Sequence, residues 1–247
     1  MLQETLHGVL QLDKPHAPAD ALEFYERYAR AANGPILEPM CGTGRFLVPL
    51  LERGFDVDGI DASPQMLDAC RAKCRQREFG PTLKLPFLQE MEMPRKYRLV
   101  FIPSGSFGLI TDRDHVRESL RRIHGLLLPG GKFVFEASQH KPKESGSWPW
   151  GGRWIQRADG AKIIISWLGR YDAADTIPRS IHRYELIKDG RLIETEFEDF
   201  EMLHLDPGEL RALLQQAGFG SIRVIKAFGG CPPAERDEDV VIECTRV

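Results

Sequence analysis

The sequence predicts an α/β fold, a parallel sheet wrapped by helices and carrying an antiparallel insert. Three observations lead there. Strand-length apolar runs alternate with amphipathic helix-length runs through the first 136 residues, which calls for right-handed crossover connections. A glycine-containing turn joins the first of those strands to a helix. After about Gln139 the helix signal gives way to period-two runs punctuated by hairpin dipeptides, until about Asp206.

The elements follow in order. Asp20 precedes the amphipathic run Leu22 to Ala32, and Gly34 ends it, so a helix capped at both ends is expected. Pro35 to Pro39 reads as a short buried strand. A helix follows from about Arg45 to Arg53, in which Pro49 removes one hydrogen bond. Phe55 to Ile60 is the second strand. Ser63-Pro64 is an N-cap with proline at the first helical position, opening a helix to about Arg75. Thr82 to Leu88 and Arg98 to Pro103 read as strands three and four. Thr111 with Asp114 resembles a capping box for a helix ending near Leu128, before Pro129-Gly130-Gly131, and Lys132 to Glu136 is strand five.

In the insert, Asp159-Gly160 and Asp189-Gly190 are hairpin turns. Ile181, Arg183, Glu185 and Ile187 alternate before the second turn, and Ile193, Thr195 and Phe197 after it. All four tryptophans (Trp148, Trp150, Trp154, Trp167) fall here. They build the core of a small sheet or some of them line a substrate pocket, and both can hold for different members. The main pattern resumes with Asp206-Pro207-Gly208-Glu209, a capped helix ending at Gly218, then strands Ser221 to Phe228 and Val240 to Arg246. The expected organisation is 1–138 as core, 139–206 as insert, and 207–247 completing the core.

Composition narrows the function classes. With 33 Lys plus Arg against 36 Asp plus Glu, the net charge is −3, without the basic excess of a dedicated nucleic-acid binder. The longest apolar runs, such as Ile163-Ile164-Ile165, fall far short of the roughly 20 residues that span a bilayer. Met1 to His16 shows no basic segment followed by an apolar core. The five cysteines are scattered and lack paired CxxC spacing, so no metal site is expected and a reducing cytoplasm fits best.

The chemistry concentrates at Glu38-Pro39-Met40-Cys41-Gly42-Thr43-Gly44-Arg45. A strand delivers a carboxylate, then a G-x-G turn lets backbone amides approach a ligand, then a helix begins. The third glycine of the dinucleotide fingerprint is absent, because Leu47 stands in its place. A carboxylate beside such a loop suits a ligand with a cationic amine and no pyrophosphate. Asp61 ends the second strand 17 residues after Gly44, placed to accept both hydroxyls of a ribose. Ala62-Ser63-Pro64-Gln65-Met66 then sets a helix and a soft side chain against a nucleoside.

These residues resemble the motifs of class I S-adenosylmethionine-dependent methyltransferases, of the small-molecule type that includes aminosugar N-methyltransferases. The resemblance implies a seven-stranded, doubly wound, Rossmann-like sheet with helices on both faces. It also implies S-adenosyl-L-methionine as cofactor. Glu38 resembles the first-motif acid, with Met40, Gly42, Thr43, Gly44 and Arg45 in its turn, and Asp61 the ribose-binding acid, followed by Ala62 and Met66. Gln89, Glu90 and Met91 stand where the family holds adenine, and Pro103, Ser104 and Gly105 where strand four reaches the active-site lip. Tyr25 corresponds to a tyrosine that folds over the methionine moiety in relatives; a core aromatic is the alternative. Met40, Cys41, Glu90 and Arg98 depart from the family's usual residues. Ile102-Pro103-Ser104-Gly105 lacks the double-proline aromatic motif of nucleic-acid base methylases.

Methyl transfer needs an aligned acceptor more than acid or base help. A hydroxyl acceptor would need a base, for which His140, His182 and Tyr184 are candidates, with Tyr171 and His204 further ones. The expected function is methyl transfer to a small-molecule N or O nucleophile by a cytoplasmic monomer or homodimer, with no membrane and no nucleic-acid partner. RNA or protein methylation and a non-catalytic S-adenosylmethionine-binding subunit are the rivals. The insert is expected to cover the acceptor, with a dimer interface as the competing role.

Overall fold

Strand β1 (Ile36–Pro39) is apolar except for one acid and lies buried along its whole length, as a strand with parallel neighbours on both sides must. The structure is a computed structural model that describes residues 16–138, 145–157, 159–172, 177–204, 206–229, 231–234 and 239–247. Those residues fall into two compact units, 145–204 and 16–138 with 206–247.

The larger unit is a seven-stranded sheet. Beside β1 run β2 (Val57–Ile60), β3 (Leu83–Lys84), β4 (Tyr97–Ile102), β5 (Leu127–Ser138), β11 (Phe219–Lys226) and β12 (Asp239–Arg246), in the order β11-β12-β5-β4-β1-β2-β3. Five strands are mutually parallel, and β12 runs antiparallel between β5 and β11. The expected doubly wound architecture is the one observed. The helices are α1 (Ala19–Ala32), α2 (Leu47–Glu52), α3 (Pro64–Arg75), α4 (Arg113–Leu126) and α5 (Pro207–Gln216).

Alternation along β5 shows how both faces are covered. Val134 packs in one cluster with residues of α1, α2 and α3. Phe133 and Phe135 point the other way, stacked at 4.5 Å, with Phe219 and Phe107 against them at 5.8 and 5.0 Å. The apolar stripe of α4 (Val116, Leu120, Ile123) and that of α5 (Leu210, Leu213, Leu214) are buried as well.

Several element boundaries differ from expectation for local reasons. Helix α1 starts at Ala19 behind Pro18, with Asp20 inside its first turn accepting the Ala21 N–H. It ends at Asn33, which takes the left-handed position one residue before Gly34. Asp112, not Thr111, caps α4 by accepting the His115 N–H at 2.8 Å. Pro49 leaves a gap in its ladder between the Val48→Gly44 and Leu50→Phe46 bonds, and regular helix narrows to α2. β3 shrinks to two residues, whereas β5 begins at Leu127, because Pro129-Gly130-Gly131 is absorbed into the strand. Ser63 and Asp206 cap α3 and α5 as expected.

The smaller unit is antiparallel: β6 (Gly146–Ser147), β7 (Gly151–Gln156), β8 (Lys162–Tyr171), β9 (Arg179–Lys188) and β10 (Arg191–Glu201). Asp189 and Gly190 both have positive φ, 51° and 73°, joining β9 to β10 as a two-residue turn of this kind requires. Its core is Ile163, Ile165 and Tyr184, with Trp167 packed against it. The tryptophans therefore do not build that core together. Trp150 and Trp154 are exposed and lie over Arg183 and Lys162, at 5.5 and 5.3 Å from the cations.

Candidate active site

Three adjacent strands end at one level of the large sheet. Pro39 pairs with Ile60 and Leu37 with Val100, so Met40, Asp61 and Pro103 leave β1, β2 and β4 at the same edge. Strand order reverses here, with β2 and β3 on one side of β1 and β4 and β5 on the other. Ligands of open α/β sheets bind in the crevice at such a reversal. Two non-glycine residues at this edge, Met40 and Ser104, hold left-handed φ values of 59° and 60°. Each conformation costs about 1–2 kcal/mol, and strain of that kind concentrates where a ligand site needs it.

The turn after β1 shows why it contains two glycines. The Cys41 N–H still bonds the Ile60 carbonyl at 2.9 Å; beyond it the chain curls, and the Gly44 N–H returns to the Cys41 carbonyl at 2.9 Å. At Gly44 (φ 79°) a Cβ would meet the Cys70 Sγ at 2.7 Å, so this glycine lets α3 pack close. Gly42 (φ 55°) is different, because nothing lies within 4 Å of where its Cβ would be. Cys41, Cys70 and Cys74 are buried free thiols beneath the turn.

Two carboxylates frame the turn. Glu38 is 1% exposed, and its Oε2 has no hydrogen-bond partner. Burial pushes its pKa well up, and the Asp61 charge adds to that, while the Leu47 N–H and the Arg45 charge pull it down. The Thr43 hydroxyl is likewise buried without a partner. Asp61 is half-buried, its Oδ2 accepting the Gly42 N–H at 2.7 Å and its Oδ1 the Ser63 N–H at 2.8 Å. Burial raises its pKa and those two N–H groups oppose the rise. A buried acid lacking a donor beside a second acid at a strand end fits a ligand with a cationic amine and a vicinal diol.

The remaining expected residues are placed as follows. Arg45 turns to the start of α1 and donates to the His16 carbonyl at 2.9 Å. Ala62 is exposed, and Met66, in the first turn of α3, is half-buried with its N–H on the Ser63 hydroxyl. Residues Leu88–Glu90 form one turn of 3-10 helix, with Gln89 half-buried, Glu90 exposed and Met91 buried. Pro103 is buried and accepts from Ser106 through both N–H and Oγ, shaping the lip at Ser104-Gly105. Tyr25 is a fully buried core aromatic, its ring 4.9 Å from Phe101 and 5.5 Å from Phe46. Its hydroxyl donates to Glu136 Oε1 at 2.8 Å. Glu136 was no candidate in the sequence; its one signal there was an acid closing the apolar run Phe133-Val134-Phe135.

In the smaller unit, His182 and Tyr184 are neighbours. His182 Nε2 is 2.9 Å from Ser180 Oγ and its Nδ1 3.4 Å from the Tyr184 hydroxyl, which donates to Glu198 at 2.7 Å. Burial and that carboxylate push the Tyr184 pKa up. The Tyr171 ring is tilted against Trp148 at 5.3 Å, and His204 is half-buried. His140 lies outside the described residues.

Comparison with known proteins adds to this geometry. The profile of a family described as a methyltransferase domain matches residues 36–131, from β1 through the glycine turn to Gly131. That stretch is similar to a methyltransferase domain. An uncharacterised methyltransferase of Geobacillus kaustophilus is 33% identical over 132 residues, 51% of this chain and 59% of that protein. The chain spans about half the length of the curated relatives it matches. Among solved structures, an S-adenosylmethionine-dependent methyltransferase from Clostridium acetobutylicum superposes with a TM-score of 0.77 at 16% identity, over 92% of this chain and 90% of that one. An amino pentose methyltransferase from Micromonospora echinaspora gives 0.75 at 17% identity, over 100% and 99%. At these identities the likeness is one of fold. The matched stretch contains Glu38, Gly42, Gly44, Asp61 and Ser104, and excludes the insert. Among the described residues no helix is long and apolar enough to cross a membrane.

Proposed function

We propose that this protein transfers a methyl group from S-adenosylmethionine to a nitrogen or oxygen of a small-molecule acceptor, in the cytoplasm. The observation that carries the reading is the crevice edge. A buried acid with an unpartnered oxygen, an open left-handed glycine turn and Asp61 sit on adjacent strand ends. Glu38 would take the cofactor's ammonium group, which supplies the donor that Oε2 lacks. Asp61 would take the ribose hydroxyls, since each of its oxygens has accepted one backbone N–H and keeps a further lone pair. Gln89, Glu90 and Met91 would flank the adenine.

When bound, this cofactor supplies a methyl already activated on a sulfonium sulfur. The chain's own task is to hold the acceptor atom in line at about 3 Å and to keep water out. An amine needs only to arrive deprotonated; for a hydroxyl, His182, Tyr184 or His140 would receive the proton. In this reading residues 1–138 and 207–247 bind the cofactor, and 139–206 cover the acceptor and set its choice. The amino pentose methyltransferase, whose structure holds S-adenosylmethionine, supports the cofactor part of this reading, and the likeness to it extends over the whole chain. It favours an amine acceptor. The protein would work as a monomer or homodimer.

The test is incubation with methyl-labelled S-adenosylmethionine and fractionated cell metabolites, with RNA and protein fractions in parallel. Label in a low-molecular-mass product, identified by mass, supports the reading. Label confined to RNA or protein contradicts it, as does no transfer to any fraction.

A further inference from the structure

We propose that Glu136, at the carboxyl end of β5, is a positioning residue that holds the lip after β4 and helix α1 in register for methyl transfer. The inference rests on the methyltransferase reading above. It starts from the pattern of β5: Phe133 and Phe135 face one side, Val134 and Glu136 the other, toward Tyr25 and Phe101. Backbone pairing of β5 to β12 continues through Glu136, which stands opposite Val241, while pairing to β4 ends one residue earlier with Phe135 opposite Ile102. The sheet itself therefore has no need of a carboxylate there.

What the carboxylate does is join two distant pieces of chain. Its Oε1 accepts the Tyr25 hydroxyl from α1 at 2.8 Å, across 111 residues of sequence. With Phe135 opposite Ile102, its carboxylate also lies beside the start of the rim, near the N–H of Ser104, the left-handed residue there, which Gly105 follows with φ 67°. One side chain thus stands between the rim's strained turn and the helix it is bonded to. The position is a costly one for an acid. Burial raises its pKa, as do the nearby Asp239 and Asp20, while the Ser104 N–H and the Tyr25 hydroxyl lower it. Asp239 is itself tied to the Ser138 hydroxyl at 3.0 Å. A leucine or methionine would pack there without that cost, so what the acid contributes is the geometry of the rim.

The test combines amide hydrogen exchange over residues 103–109 with titration of S-adenosylhomocysteine, on the full chain and on Glu136→Leu and Glu136→Gln. In Glu136→Leu the rim amides should exchange about tenfold faster, while those of β4 and α3 keep parental rates, and affinity should fall about tenfold. Glu136→Gln should restore both, its carbonyl facing the Ser104 N–H and its amide donating to the Tyr25 oxygen. A merely structural role would move stability without this localised exchange and rescue. Parental exchange and affinity in Glu136→Leu would overturn the proposal, and so would a Glu136→Gln variant as deficient as Glu136→Leu. Should Glu136→Leu not fold, the parent decides: the Ser104 amide proton resonance should move in one titration above the ordinary carboxylate range, and a resonance without it overturns the proposal. Failure of the parent to bind S-adenosylhomocysteine would strike the methyltransferase reading instead, leaving the exchange and resonance results to judge Glu136.

Discussion

Replacing Asp61 by alanine separates the cofactor role of this residue from its structural one. In the free protein the substitution removes the acceptor for two backbone N–H groups, those of Gly42 and Ser63. Both donors lie at a half-buried crevice edge where water can replace the lost acceptor, so the cost is about 1–2 kcal/mol. For a chain of this size that lowers Tm by about 2–8 °C. Losing the charged acceptor for two ribose hydroxyls costs a further 2–4 kcal/mol or so of cofactor affinity. That corresponds to roughly 30- to 1000-fold in Kd. Calorimetric titration with S-adenosylhomocysteine measures the second effect and thermal unfolding the first. Asp61→Asn should fall between, because its one carbonyl oxygen can serve only one of the two N–H groups. A folded Asp61→Ala variant with parental affinity would refute the reasoning and move the ribose elsewhere.

Three further outcomes follow from the same geometry. Burial and Asp61 raise the Glu38 pKa, against Arg45 and the Leu47 N–H, so the folded state holds that proton more tightly than the unfolded chain. Stability from this group is present at acid pH and lost as pH rises through the raised value, while affinity for the cationic cofactor rises over the same window; Glu38→Gln should flatten both profiles in denaturation and titration experiments. Gly44→Ala, which forces a Cβ against Cys70 Sγ and Val48, should destabilise by about 1–3 kcal/mol beyond the left-handed cost, whereas Gly42→Ala, with open space around it, should cost only about 1–2 kcal/mol yet weaken cofactor binding more, as paired denaturation and titration would show. Replacing residues 139–206 by a short glycine-rich linker should spare cofactor binding, abolish methyl transfer and leave the oligomeric state unchanged; a truncated protein that turns monomeric and still methylates would make the insert a dimer interface.

Local chemistry made much of this fold readable in advance. Asp189-Gly190, Ser63-Pro64 and Asp206-Pro207 each specify their turn or cap through their own residues, and the structure has them as expected. The glycine turn and Asp61 were legible for the same reason, since a backbone needing positive φ and an acid at a strand end leave marks within a few residues. What escaped was set by distance. Nothing near Glu136 signals that its partner is Tyr25, 111 residues away, or that it lies near the rim amide of Ser104. The left-handed turns at Met40 and Ser104 carry side chains that local rules would not place there. The cap expected at Thr111 falls one residue later, at Asp112. The tryptophans misled because exposure in a sheet depends on which face is covered, which composition does not encode.

The central claim is that Glu38, the glycine turn and Asp61 form a site for S-adenosylmethionine and not for a dinucleotide. Equilibrium calorimetry with S-adenosylmethionine, S-adenosylhomocysteine and NAD, at one pH on the parent protein, tests it most directly. The account predicts saturable one-site binding of the first two and negligible heat with NAD. Tighter binding of NAD, or binding of none of the three, would contradict it.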